Sequence, residues 1–226
     1  MGDQSNREQR GEEFSPGLGI GEAGRGVSQL GSPGNQTFLP TNSRCVQTVN
    51  PLKVELGGGR RPKGDGFINV DILECPEVDI KCDFNLVGAL ECRLPFRSNS
   101  VSDLYSSHCL EHISVYQGLL HEIARVCVLG ARVEFRVPHW NSDMAAAAGH
   151  CHVVSETVVD HWQRYADDWW TGEKMMMLVK TTHVPSKHFA RARLLHPLWS
   201  NADIYRYLSG TCHEIRFFFQ VVEKLA

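Results

Sequence analysis

The residues best placed to do chemistry begin with three consecutive glycines, Gly57-Gly58-Gly59, which close the apolar run Val54-Glu55-Leu56. A buried strand that stops at glycines turns sharply and lets a ligand reach main-chain N–H groups with no Cβ in the way. The next run, Ile68-Asn69-Val70, ends on Asp71. In an open parallel sheet, ligands sit outside the carboxyl ends of the strands, and a carboxylate at the second strand tip takes ribose hydroxyls. The two features together read as a nucleoside site. Two phosphate-binding patterns are excluded: Gly57 to Pro62 lacks the third glycine of G-x-G-x-x-G, and no G-x-x-x-x-G-K-[ST] segment occurs.

A second group is rich in histidine: His108 and His112, then His139, then His150-Cys151-His152. An imidazole that titrates near neutrality is the natural base for a hydroxyl or an amine. The tripeptide also carries metal-ligating atoms, but its adjacent side chains rarely converge on one ion and no second ligand pair has a standard spacing, so no metal site is expected. Asp167-Asp168-Trp169-Trp170 offers a wall for an acceptor pocket, although a tryptophan pair more often packs than recognises. Met175-Met176-Met177 reads as core strand.

These groups need a scaffold of short strands. Runs of β type occur at 53–56, 67–72, 78–84, 102–107 and 132–137. Between the last two, Leu110, Ile113, Leu119, Leu120, Ile123, Ala124 and Val126 recur at helical spacing, with Gly130 as the stop. Strand, helix, strand implies a parallel α/β sheet with right-handed crossovers. Residues 60–66 hold Pro62 and two glycines and are too few for a crossover helix. Two later runs, 175–181 and 214–223, suit antiparallel pairing at a sheet edge. The expected fold is therefore Rossmann-like: a mostly parallel sheet with an antiparallel edge, in a three-layer sandwich with a shortened first crossover.

All five tryptophans lie between Trp140 and Trp199, and all 11 histidines lie at or beyond His108. This places an aromatic-rich elaboration at about 140–212, over the crevice, within a domain spanning 51–226. Residues 1–50 hold nine of the 20 glycines, no tryptophan and little apolar periodicity. Such a segment buries too little surface to offset its ordering entropy, and it reads as a disordered tail.

Composition narrows the classes further. A net charge of −3 and a pI near 6.4 give no general attraction to phosphate backbones, which weighs against a non-specific nucleic-acid binder. The one modest basic cluster is Lys180, Lys187, Arg191 and Arg193. The 8 cysteines include no C-x-x-C pair and no apolar leader opens the chain, as expected of reduced thiols in a cytoplasmic protein. No run of about 18 apolar residues is present to span a membrane. Met1-Gly2 does not complete a myristoylation signal, because position 6 is Asn.

Lys53 to Gly59, Gly66 to Asp71, Asp83, and the segment Leu94-Pro95-Phe96-Arg97 through Leu104-Tyr105-Ser106-Ser107-His108-Cys109-Leu110-Glu111-His112 resemble the class I S-adenosylmethionine-dependent methyltransferases. The resemblance is to the small type 11 branch, which also shortens the first crossover. It runs from about Lys53 to His139, and the segment ending in Leu-Glu-His is its most specific part. It implies that S-adenosylmethionine is the cofactor. Glu55 would approach the methionine amino group, Gly57, Gly58 and Gly59 would make room, Asp71 would take the ribose hydroxyls, and Asp83 would sit at the adenine. Ser106, Ser107 and His108 would form the floor beside the sulfonium. Gly58 stands where the branch often has Cys, and Glu55 where many members carry Asn. The assignments also suit the chemistry, since an ammonium, a ribose diol and an adenine amino group each need an acceptor.

Relatives of this type often show a histidine a dozen or so residues past the fifth strand, which puts His152 and His139 first as bases, followed by His108. The expected activity is methyl transfer to oxygen or nitrogen of a small-molecule or sugar-like acceptor, with a homodimer as an option and no membrane partner. One rival is a nucleic-acid methyltransferase, which needs a basic exposed channel. Another is a catalytically silent methyltransferase-like subunit, which would usually have lost the glycines or the strand-tip carboxylates. An NAD-linked oxidoreductase is disfavoured by the missing third glycine.

Overall fold

The computed structural model describes residues 50–87 and 93–224, so residues 1–49 of the expected tail lie outside the described residues. Seven strands form one sheet: β1 (Leu52–Leu56), β2 (Phe67–Asp71), β3 (Ile80–Lys81), β4 (Val101–Ser107), β5 (Cys127–Pro138), β6 (Lys174–Pro185) and β7 (Cys212–Glu223). Their order is β3-β2-β1-β4-β5-β7-β6. β1 to β5 are parallel to their neighbours, whereas β7 runs antiparallel to both β5 and β6. The expected mostly parallel sheet with an antiparallel strand near one edge is thus present. Ten residues join β1 to β2 without a helix.

One face of the sheet is dry. Val54, Leu56, Leu104, Val133, Phe135, Val137, Phe217, Phe219 and Val221 alternate along their strands and are buried. Against them packs α1 (Tyr116–Val126), whose buried Leu119, Leu120, Ile123 and Val126 recur at helical spacing. The helix α2 (Glu156–Arg164), capped by Ser155, adds buried Val159 and Trp162, and α3 (Ala166–Trp169) follows it. Trp162 stacks on Trp169 with ring centroids 6.0 Å apart, and Trp170 donates its indole N–H to the Trp162 carbonyl. Of the two uses open to the Trp169-Trp170 pair, a pocket wall or packing, the structure shows packing. Two further helices, α4 (Phe189–Leu195) and α5 (Asn201–Tyr207), lie between β6 and β7 in sequence.

The other face is polar and open. Lys53, Phe67, Tyr105, Glu134 and Phe218 line a groove of about 560 Å³ whose walls are strand residues and Lys63. Lys63 Nζ stands 3.8 Å from the Tyr105 ring centroid, and Arg136 pairs with Glu134 at 2.7 Å.

Two boundaries differ from the sequence reading. The run 78–84 contributes only Ile80 and Lys81 to the ladder, opposite Val70 and Asp71. Gly130 does not stop a helix: α1 ends at Val126, β5 starts at once, and Gly130 (φ 81°) lies inside the strand. There the register jumps from Val101↔Cys127 to Asp103↔Arg132. The glycine supplies the left-handed residue that such a bulge requires. The carbonyl end of α1 is instead closed by Lys174, whose Nζ donates to Arg125 O at 3.0 Å and to Asn99 Oδ1 at 2.7 Å.

Candidate functional site

The glycine turn lies at the carboxyl tip of β1, between the tips of β2 and β4. Gly59 N–H donates to Asp71 Oδ2 at 2.9 Å, and Leu73 N–H to Asp71 Oδ1 at 2.9 Å. Glu55 is buried, and its Oε2 accepts the Lys63 N–H at 2.6 Å. Burial raises the Glu55 pKa above its ordinary value, with the Lys63 N–H opposing. Gly58 is wedged among these groups: a Cβ there would fall 2.5 Å from Asn69 Oδ1 and 2.7 Å from Glu55 Cδ. Gly57 has φ 76°, and a Cβ would fall 2.6 Å from both Cβ and Sγ of Cys109. The structure thus brings Glu55, Gly57, Gly58, Gly59 and Asp71 together as expected.

Asn69 belongs to the same cluster and was not singled out in the sequence. Its side-chain amide donates to Gly59 O at 3.0 Å and Glu77 O at 2.8 Å, while its buried Oδ1 has no hydrogen-bond donor. Its only sequence signal was its place one pleat before Asp71, facing away from the apolar core. Asp83 lies two residues beyond β3, half-buried, and its carboxylate caps a turn by accepting the Asn85 N–H at 2.9 Å.

Ser106 and Ser107 end β4, with Ser106 buried beside Leu56 in the ladder and Ser107 half-buried. His108 then takes φ 51°, a left-handed conformation that non-glycine residues rarely adopt. Both of its ring nitrogens turn to carboxylates: Nδ1 lies 3.3 Å from Glu111 Oε1, and Nε2 lies 3.1 Å from Glu214 Oε2. Glu111 and Glu214 together push the His108 pKa up to about 9, against the effect of burial. A ring with both nitrogens so occupied ties β4 to β7; it has no free lone pair to act as a base.

His139, the first residue past β5, is buried on the wall of a cavity of about 690 Å³ that it shares with Trp140, Glu156, His183, Tyr205 and Arg206. Burial depresses the His139 pKa, so the ring is neutral near pH 7. Its Nδ1 accepts the Asn141 N–H at 3.2 Å, which leaves the proton on Nε2. The neighbouring pair is better suited to proton removal. Glu156 Oε1 lies 2.7 Å from His183 Nε2, so the carboxylate takes that N–H and leaves His183 Nδ1 with a bare lone pair. Burial raises the Glu156 pKa, but the His183 bond outweighs it and keeps the carboxyl ionised. Sequence reasoning missed both residues, because they stand 27 positions apart, one in the first turn of a helix and one in an edge strand.

His152 is not in this cavity's wall. Its Nε2 binds the Ser114 carbonyl at 2.7 Å, and its ring meets Tyr116 edge-on. Of the basic cluster, Arg193 is occupied by three carbonyls, His196, Pro197 and Trp199, at 3.0–3.1 Å.

No family model matches the chain, and no curated protein is significantly similar to it. Solved structures of similar fold include an S-adenosylmethionine-dependent methyltransferase from Archaeoglobus fulgidus, at 13% identity and TM-score 0.49 over 76% of this chain and 86% of that one. The YcgJ protein from Bacillus subtilis is 11% identical, with TM-score 0.48 over 77% of this chain and 93% of that one. A putative sarcosine dimethylglycine methyltransferase from Galdieria sulphuraria is 13% identical, with TM-score 0.46 over 75% and 78%. Likeness at this level leaves the fold to rest on the sheet itself. Its order, β3-β2-β1-β4-β5-β7-β6 with β7 antiparallel, is that of the class I methyltransferase fold.

Proposed function

We propose that this chain is an S-adenosylmethionine-dependent methyltransferase acting on an oxygen or nitrogen of a small, sugar-like acceptor. The observation that carries this reading is the convergence of Glu55, Asp71 and a glycine turn without room for a Cβ at Gly58 on the carboxyl tips of β1 and β2. These residues fit the cofactor. The buried Glu55 carboxylate suits an ammonium group, and each Asp71 oxygen keeps a lone pair beyond the N–H it already accepts, enough for a diol. The cofactor, when bound, supplies an electrophilic methyl group on a sulfonium.

The protein's own part is positioning and proton removal, since an in-line displacement depends on holding the reacting atoms in line. The cavity beside His139 offers Trp140 and Tyr205 for a sugar face and Arg206 and Glu156 for its hydroxyls. His183 Nδ1 takes the proton of the acceptor, while Glu156 fixes the ring and stabilises the imidazolium that forms, the usual division of labour in a carboxylate–histidine pair. His139, neutral and with its proton on Nε2, supplies a hydrogen-bond donor to the cavity wall.

Titration calorimetry with S-adenosylmethionine and S-adenosylhomocysteine, with NAD as the control, tests the reading. Micromolar binding of the first two and none of NAD is expected. Absence of binding to both would overturn it in favour of a silent subunit.

A further inference from the structure

Away from that cavity, the turn after β4 holds a second cluster: Glu111, His112 and His150 each offer one ligand atom, and these atoms lie within 4.8 Å of one another. The Glu111 side chain is 2% exposed; His108 Nδ1 meets its Oε1 as an ion pair at 3.3 Å, and beyond that pair neither carboxylate oxygen has a hydrogen-bond donor. His150 Nδ1 is likewise buried without a partner. Leaving such groups buried and unbonded is costly, and few occur in a folded domain.

The histidines have the geometry that a cation needs. Their ring centroids are 4.6 Å apart at 81°. His112 Nδ1 lies 3.0 Å from the Gly149 carbonyl, so it carries the proton and donates there, which leaves Nε2 bare. Histidines that ligate metals show this same outer bond to a carbonyl, which fixes tautomer and ring orientation. His112 Nε2 and the Glu111 carboxylate are acceptors, and His150 Nδ1 becomes a third when the proton sits on Nε2, so that one cation can join all three while His108 offsets part of the Glu111 charge.

We propose that Glu111, His112 and His150 form a divalent metal site of the zinc class. Two nitrogens and one oxygen suit zinc with a fourth position open, whereas calcium and magnesium prefer all-oxygen sets. Bonds of about 2.0–2.1 Å in a tetrahedron put ligand atoms roughly 3.4 Å apart, so side-chain shifts of about 1 Å close the set. The ion would pin the loop carrying His150 to the end of β4. That loop is already joined there, through the Cys151 and His152 N–H groups to Glu111 O at 2.7 and 3.2 Å. The site departs from the expectation of no metal, because the convergence pairs His150 with residues 38 and 39 positions earlier and not with its neighbour His152.

The test uses the full chain stripped with chelator and titrated with Zn²⁺ by calorimetry, and with Co²⁺, whose visible absorption reports the ligand set. One equivalent is expected to bind, with at least about tenfold weaker binding in His150→Gln and in His112→Gln, whose side chains are not core. Circular dichroism confirms that these variants are folded; Glu111→Gln, which alters a buried group, counts only when it too is folded. His183→Gln, which removes a ligand from the separate His139–Glu156–His183 cluster, leaves the affinity unchanged. Failure to bind one equivalent, unchanged affinity in both His150→Gln and His112→Gln, or loss of binding in His183→Gln overturns the proposal. Each readout is independent of methyl transfer.

Discussion

Asp71 Oδ2 accepts the Gly59 N–H at 2.9 Å, so the carboxylate at the tip of β2 shapes the glycine turn that leaves β1. Asp71→Ala strips the partners from two backbone N–H groups, Gly59 and Leu73. A loss of about 1–3 kcal/mol in stability is expected, together with loss of S-adenosylmethionine binding. Thermal melts and calorimetry on the same sample separate the two effects, and cofactor affinity unchanged in folded Asp71→Ala would sink the site assignment.

Gly58→Ala places a methyl group 2.5 Å from Asn69 Oδ1. Neither Asn69 nor Glu55 has free space to retreat into, as both are buried and bonded. The cost is expected to be about 1–3 kcal/mol, typical of overpacking, read as a lowered denaturation midpoint. Wild-type stability would show that the turn is looser than described.

Replacing His183 by Ala removes the proposed base without touching the glycine turn. Cofactor affinity is expected to stay at the wild-type value while turnover falls roughly 10²- to 10⁴-fold, measured with an acceptor found by screening for transfer of a labelled methyl group. Glu156→Gln, which keeps the shape but not the charge, is expected to fall between the two. Turnover preserved in His183→Ala would return the role of base to His139.

Acid should destabilise this fold in two steps. His139 is depressed below its ordinary 6.5 by burial, and Glu156 below 4.5 by its bond to His183 in spite of burial. A depressed pKa contributes stability above the unfolded value that is lost as pH falls through the folded one. The first loss therefore begins below about pH 6.5 and the second below about pH 4.5. Melting temperatures followed from pH 8 down to about pH 4 should show less decline near pH 6 in His139→Gln than in wild type; equal slopes would argue against the buried neutral ring.

Burial pushes the thiols of Cys109, Cys127 and Cys212 up to about 12. Since thiolates are the reactive species, brief alkylation at neutral pH should spare these three and modify the exposed Cys151. Peptide mass spectrometry gives the order; early labelling of Cys109 would mean that the contact with Gly57 opens readily.

What could be read from the sequence was local. The glycine turn and Asp71 are legible because each ends a short apolar run, and strand tips in a parallel sheet converge whatever lies between. The third strand was over-read because an apolar run does not say whether a partner stays alongside, and only Ile80 and Lys81 find one. Gly130 has the same residue type whether it ends a helix or eases a bulge; the register of β4 decides. The histidines were beyond reach. The state of His108 is set by Glu111 together with Glu214, the latter 106 positions away, and what frees a lone pair on His183 is Glu156 in another element.

The placement of β7 also governs when the sheet can be completed. Among the described residues β6 pairs with β7 alone, and β7 reaches back to β5 across some eighty positions. During synthesis, β6 and the two helices after it leave the ribosome with no neighbour in the sheet. Met176, opposite Val221 in that ladder, has no strand beside it until β7 is made. Closing so long a loop is slow, which makes the interval before β7 appears the time when the nascent chain most needs a chaperone.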